Sequence, residues 1–155
     1  MAGADSTAIA LRAIFYYMMK NPSTLTKARA EIAAAAAAGN LSTPVKYNEA
    51  SSLPYLSAVV KEASRLFPSF QVSMQRTSPK QGITLSGKFI PAGLRVGMNP
   101  GVVQYDKGVF GEDAYEFKPE RWLESEERSK AVDKAYVAFG MGTRTCTGKN
   151  VSLNS

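Results

Sequence analysis

Cys146 is the only thiol in a chain of 155 residues that contains no histidine. It lies in "FGMGTRTCTGKN", Phe139 to Asn150, among Gly140, Gly142 and Gly148 and two residues after Arg144. Without imidazole there is no zinc site of ordinary type, no Ser–His or Cys–His nucleophile pair and no histidine general base. Any metal must be held by thiolate or oxygen. Glycines at this density let a backbone turn tightly and run close beneath something flat and bulky. A helix starting near Cys146 would aim its first N–H groups at the sulfur and favour the thiolate, and Arg144 suits a carboxylate or phosphate. Taken alone, a G-x-G-x-x-x-C run is better explained as a surface turn with an incidental cysteine.

Two further polar groupings could do chemistry. "AGADST" places Asp5, Ser6 and Thr7 together, which by itself reads as a helix N-cap. Glu62 and Arg65 are i,i+3 neighbours flanking an apolar helical stripe, and a solvated pair of that kind contributes roughly 0.2–0.5 kcal/mol.

In combination these stretches say more. Phe139, Gly140, Gly142, Arg144, Cys146 and Gly148 together match F-G-x-G-x-R-x-C-x-G, and the chain resembles the cytochrome P450 family at its haem-ligand loop. Glu62 to Arg65 resembles that family's E-x-x-R, and "FKPERW" its P-E-R-F stretch with Trp122 in place of phenylalanine. "AGADST" resembles its A-G-x-D/E-T-T segment, with Ser6 where threonine is usual.

The resemblance implies haem b with Cys146 as thiolate ligand of the iron, a softer and more electron-donating ligand than histidine. It implies that Phe139 packs near the sulfur, that Gly140, Gly142 and Gly148 let the loop pass under the porphyrin, and that Arg76 and Arg144 pair with propionates. It also implies a buried structural triad of Glu62, Arg65 and Arg121. Splitting dioxygen requires two protons, and the resemblance assigns their relay to Asp5 and Ser6, with Thr7 beside them. The segment Phe70 to Ser73 would lie on a strand facing substrate. One departure is "NPGVVQYDK", where Gln104-Tyr105-Asp106 replaces the family's H-R-D and removes a contact to the haem or its surroundings.

The function so implied is a monooxygenase inserting one oxygen atom into an apolar small molecule, with dioxygen and a flavoprotein reductase as partners. A family member that rearranges or dehydrates its substrate is the second enzyme reading, and Asp5 with Ser6 argues against it. A non-catalytic interaction module or an inactive truncated product is the reading from another class. The resemblance covers essentially the whole chain but only the C-terminal third of a family member. The chain is therefore expected to be inactive alone and to lack a membrane anchor that would hold the parent at the endoplasmic reticulum.

The elements that must position these residues follow from periodicity. Thr7 to Lys20 is apolar nearly all round, as a buried helix is, and Asn21-Pro22 ends it. Pro22 opens a second, alanine-rich helix that closes at Gly39-Asn40. "LSTPVKYNEASS" is a connection with one short helical turn. Leu56, Val59, Val60, Ala63, Leu66 and Phe67 predict a third helix from Pro54 to Phe67, stopped by Pro68. Short strands follow at "ITL", "KFI" and "AGLRVGM", with a Ser86-Gly87 turn between the first two. Asn99 to Ala138, rich in Gly, Pro and aromatics, reads as a long ordered coil serving a site. The fold class is mainly α with a small β-sheet (α+β), an incomplete C-terminal portion of the P450 fold, forming one partial domain over 1–155.

Composition agrees with a globular chain: 45% hydrophobic and 21% charged. The net charge of +6 is scattered rather than striped, which argues against nucleic acid as a partner. Ala8 to Met19 is too short to span a bilayer and carries Arg12.

Overall fold

The computed structural model describes residues 2–149. Helix α1 spans Ala2–Lys20, and the Asn21 side chain closes it by donating to Tyr17 O at 2.8 Å. Helix α2, Pro22–Ala37, starts on proline, whose missing N–H would have had no partner in a first turn. It ends at Gly39, φ +74°, with Asn40 N–H donating to Ala35 O and Gly39 N–H to Ala36 O. That pairing is the Schellman arrangement, which a residue with a Cβ enters at a cost.

A short helix α3, Tyr47–Ser51, leads into α4, Pro54–Leu66. Leu53 gives α4 no side-chain cap. The carboxylate of Glu31 on α2 does so instead, accepting from the N–H groups of Tyr55 and Leu56 at 2.8 Å each. An acid at a helix N-terminus is favourable, so this cap ties α2 to α4. One face of α4 is buried through Ala58, Val59, Glu62, Ala63, Arg65 and Leu66. Phe67 falls just past the helix and stays exposed.

The strands form two separate ladders. Strands β1, Met74–Thr77, and β4, Arg95–Met98, pair antiparallel with Met74 opposite Met98. Strands β2, Ile83–Leu85, and β3, Lys88–Ile90, form a hairpin whose turn residues Ser86 and Gly87 both have positive φ, as a tight two-residue turn demands. The strand expected over Phe70 to Ser73 begins at Met74 instead.

The expected coil from 99 to 138 is largely helical. It holds α5, Pro100–Val103, α6, Lys107–Phe110, a 3-10 turn at Pro119–Trp122, and α7, Glu126–Ala135. Helix α7 starts where Ser125 Oγ accepts from Arg128 N–H, with Glu126 and Glu127 in its first turn. Its buried Val132 joins Ala58, Phe110, Ala114 and Trp122 in the core.

The expected burial of α1 is only partly met. Ala13 and Met18 are buried, but Phe15 is 59% and Met19 68% exposed. Among the described residues α1 packs on α4 and α2, and two neighbours cannot cover a helix that is apolar on all sides.

Candidate functional site

The site is built around a buried charged cluster. Glu62 and Arg65 lie one turn apart on α4, and both are fully buried. Arg65 grips Glu62 with Nε to Oε2 and Nη2 to Oε1, each at 2.8 Å. Arg121, on the 3-10 turn, donates through Nε to the same Oε1 at 2.9 Å, and Trp122 Nε1–H to Oε2 at 2.9 Å. Lys118 N–H adds a fifth donor at 3.0 Å. The two guanidinium groups have donors left over, and these hold the coil. Arg65 Nη1 donates to Gln104 O and Ala114 O, both at 2.7 Å, and Arg121 to Phe110 O and Asp113 O at 2.6 and 2.9 Å.

Two positive charges and one negative would leave a buried excess. Asp113 removes it by accepting from Arg121 Nη1 at 3.0 Å. Partial burial pushes the Asp113 pKa up, but hydrogen bonds and charge from Lys118 and Arg121 outweigh that and bring it down to about 2. For Arg121, burial disfavours the charge, and Glu62 with Asp113 more than offsets it, so its pKa is raised. Every buried side-chain nitrogen and oxygen among the described residues has a partner, which is the condition for burying charges without a heavy cost.

The cysteine loop leaves this frame at Val137. Gly140 N–H donates to Val137 O at 2.9 Å, and Cys146 N–H to Phe139 O at 2.8 Å, which draws the loop into a closed turn. Gly140 and Gly142 have φ of +74° and +67°. A Cβ on Gly140 would also press on Arg144 O at 3.3 Å, so that position is restricted twice over. Gly148 differs, because a Cβ there would meet only Cys146 Sγ at an ordinary 3.7 Å. Any helix after Cys146 falls mainly on residues 150–155, outside the described residues.

A cavity of about 560 Å³ lies where four segments meet, one of them α4 through Val60 and Ser64. Helix α1 lines it with Ser6, Thr7, Ala10, Leu11 and Ile14. The chain after α4 adds Ser69, Phe70 and Ser73 to Arg76, and the loop adds Phe139, Gly140, Arg144 and Cys146. Ser69 Oγ donates to Ser6 O at 2.8 Å and so ties the second segment to the first. The Arg76 guanidinium reaches Met141 O at 3.4 Å, bridging β1 to the loop. Asp5 is exposed and does not line the cavity, being about 200° around the helix from Thr7.

The sequence reading missed two members of this frame, Gln104 and Asp113. Gln104 is fully buried and donates through Nε2 to Arg65 O at 3.0 Å while its Oε1 accepts Val137 N–H at 2.9 Å. Beside it, Tyr105 Oη–H donates to Leu66 O at 2.5 Å, and burial raises its pKa. A residue carrying both a donor and an acceptor inside an apolar segment was the available signal.

Helices on small antiparallel ladders, with a lone cysteine in a glycine turn, define a class that comparison with known proteins makes specific. The family model for cytochrome P450 matches residues 1–154, and the chain belongs to that family. A cytochrome P450 monooxygenase of Alternaria alternata, ACRTS1, is 53% identical over 98% of this chain and 40% of its own length. The monooxygenase cicH of Emericella nidulans is 48% identical over 97% of the chain and 30% of its length. A pisatin demethylase of Fusarium vanettenii is 42% identical over 98% of the chain and 28% of its length. The chain thus spans well under half of the relatives it matches.

The family implies haem, and the residues present fit such a group. The cavity is large enough for a ligand of that class, mostly apolar, and brings one thiol together with two guanidinium groups. Among the described residues no group of three or more His, Cys, Asp or Glu comes together as a metal cluster.

Proposed function

We propose that this chain carries the thiolate-ligand and distal-helix portion of a haem monooxygenase that inserts one oxygen atom into an apolar small molecule. The observation that carries this reading is the single cavity shared by Cys146, Arg76, Arg144, Ser6 and Thr7. Haem, when bound there, supplies the activation of dioxygen. Cys146 would hold the iron, and Arg76 and Arg144 would each pair with a propionate. Leu11, Ile14 and Phe70 would exclude water and favour an apolar substrate.

Proton supply divides along α1. Ser6 and Thr7 line the cavity, and their hydroxyls would hold or pass a proton there, while the exposed Asp5 would take protons up from solvent. A flavoprotein reductase would supply electrons, and the parent protein would sit at the endoplasmic reticulum membrane. Among the described residues no helix is long and apolar enough to cross a membrane. The chain by itself would be inactive, since exposed Phe15 and Met19 leave α1 short of neighbours.

The test is Cys146→Ser in the full protein. The reduced carbon-monoxide difference spectrum of the unaltered protein should show the strongly red-shifted band of thiolate-ligated haem, and the variant should lose it. A red-shifted band that survives the substitution would put the iron ligand elsewhere.

A further inference from the structure

We propose that Gln104 is a positioning residue for Cys146, the strut through which the buried charged cluster sets the height of the cysteine loop. The inference rests on the haem-thiolate reading above, and adds to it a residue at which the chain departs from the family's H-R-D stretch. Gln104 is fully buried, and both ends of its amide are used across elements. Nε2 donates to the carbonyl of Arg65, the residue that grips Glu62, and Oε1 accepts the N–H of Val137, where the loop begins. Its own carbonyl accepts from Arg65 Nη1 at 2.7 Å, so the Gln104 backbone is locked to the same cluster.

From Val137 the connection to the thiol runs through two backbone bonds. Val137 O accepts Gly140 N–H at 2.9 Å, and Phe139 O accepts Cys146 N–H at 2.8 Å. Trp122 of the cluster also packs edge-on against Tyr136, one residue before the loop, with ring centroids 5.5 Å apart. An apolar replacement would leave Arg65 O and Val137 N–H buried without partners, and Val137 would have to move to find one. The expected result is a loop that forms but sits at a variable distance from the metal it is to hold.

The experiment compares Gln104→Met, which keeps volume and removes both hydrogen bonds, with Gln104→His, whose ring can still offer one donor and one acceptor. Hydrogen–deuterium exchange of the full protein, read for peptides covering 137–146 and for α4, is measured with and without haem. Gln104→Met should exchange about tenfold faster in 137–146 while α4 holds, corresponding to one buried hydrogen bond. In the haem-loaded protein it should shift the carbon-monoxide spectrum from the thiolate band toward the neutral-thiol form, and Gln104→His should restore both signals. Unchanged exchange, equal acceleration in α4, or a histidine variant no better than methionine would each overturn the proposal. Exchange without haem decides on Gln104 even if the unaltered protein gives no thiolate band, an outcome that would instead sink the haem reading.

Discussion

Replacing Glu62 with glutamine changes one atom's chemistry and nothing in volume, yet it should cost about 4 kcal/mol. Each carboxylate oxygen of Glu62 faces only donors. Oε1 receives Arg65 Nη2, Arg121 Nε and Lys118 N–H, and Oε2 receives Arg65 Nε and Trp122 Nε1–H. Whichever way the amide is turned, its NH2 meets two or three donors and loses those bonds. Hydrogen bonds to charged groups contribute roughly 1.5–3 kcal/mol each, and breaking a buried pair from one side costs about 3–5. Arg121 would then keep Asp113, whose side chain is 29% exposed, as its carboxylate partner, while Arg65 would be left with the backbone carbonyls of Gln104, Ala114 and Glu116. Against a typical stability of about 5–15 kcal/mol that loss is a large fraction of the total. Urea unfolding of both proteins without haem, so that binding does not mask the difference, measures this directly. A loss below about 1 kcal/mol would show that Glu62 does not organise the cluster and that its geometry is incidental to stability.

Asp113 gives a pH signature. Its pKa is lowered from 3.8 to about 2 in the folded state, so its contribution of about 2 kcal/mol is complete above pH ~4 and fades as pH falls toward 2. Asp113→Asn should therefore be less stable at neutral pH, and the gap to the unaltered protein should close in acid unfolding curves; a constant gap refutes the assignment. At the other end of the site, Ser6→Ala with Thr7→Ala should keep haem binding but divert reducing equivalents to peroxide. Peroxide assays against product yield check this, and tight coupling in the double variant would remove both hydroxyls from the proton path.

Local signals in the sequence were enough for the elements with strong periodicity or strong punctuation. Pro22, Pro54, Gly39 and the Ser86-Gly87 turn fall where the structure needs fixed φ, a spare N–H or a left-handed residue. Helix α7 was hidden because only Val132 on it is buried, leaving almost no apolar stripe; Ser125 followed by two glutamates was the remaining sign. Glu62 and Arg65 read locally as a solvated pair, because what buries them, Phe110, Ala114 and Trp122, lies some fifty residues on in the chain. Gln104 read as a lost contact for the same reason. Its value depends on Arg65 and Val137, which no window around it contains. Asp5 shows the converse: the motif groups three residues that the turn of a helix separates into a solvent side and a cavity side.

The cavity draws its walls from Ser6, from Met74 to Arg76, and from Arg144 and Cys146, which is to say from both ends of the chain and its middle. A nascent chain leaving the ribosome can form α1, α2 and α4 early, since their contacts are short in sequence. The pocket has to wait for the loop residues from Ala138 to Cys146. Until they emerge, the apolar side of α1 and the strand edge at β1 stand open to chaperones or to other chains. Of the segments that wall the cavity, the Cys146 loop is thus the last to be made, and the cavity stays open on that side until it is.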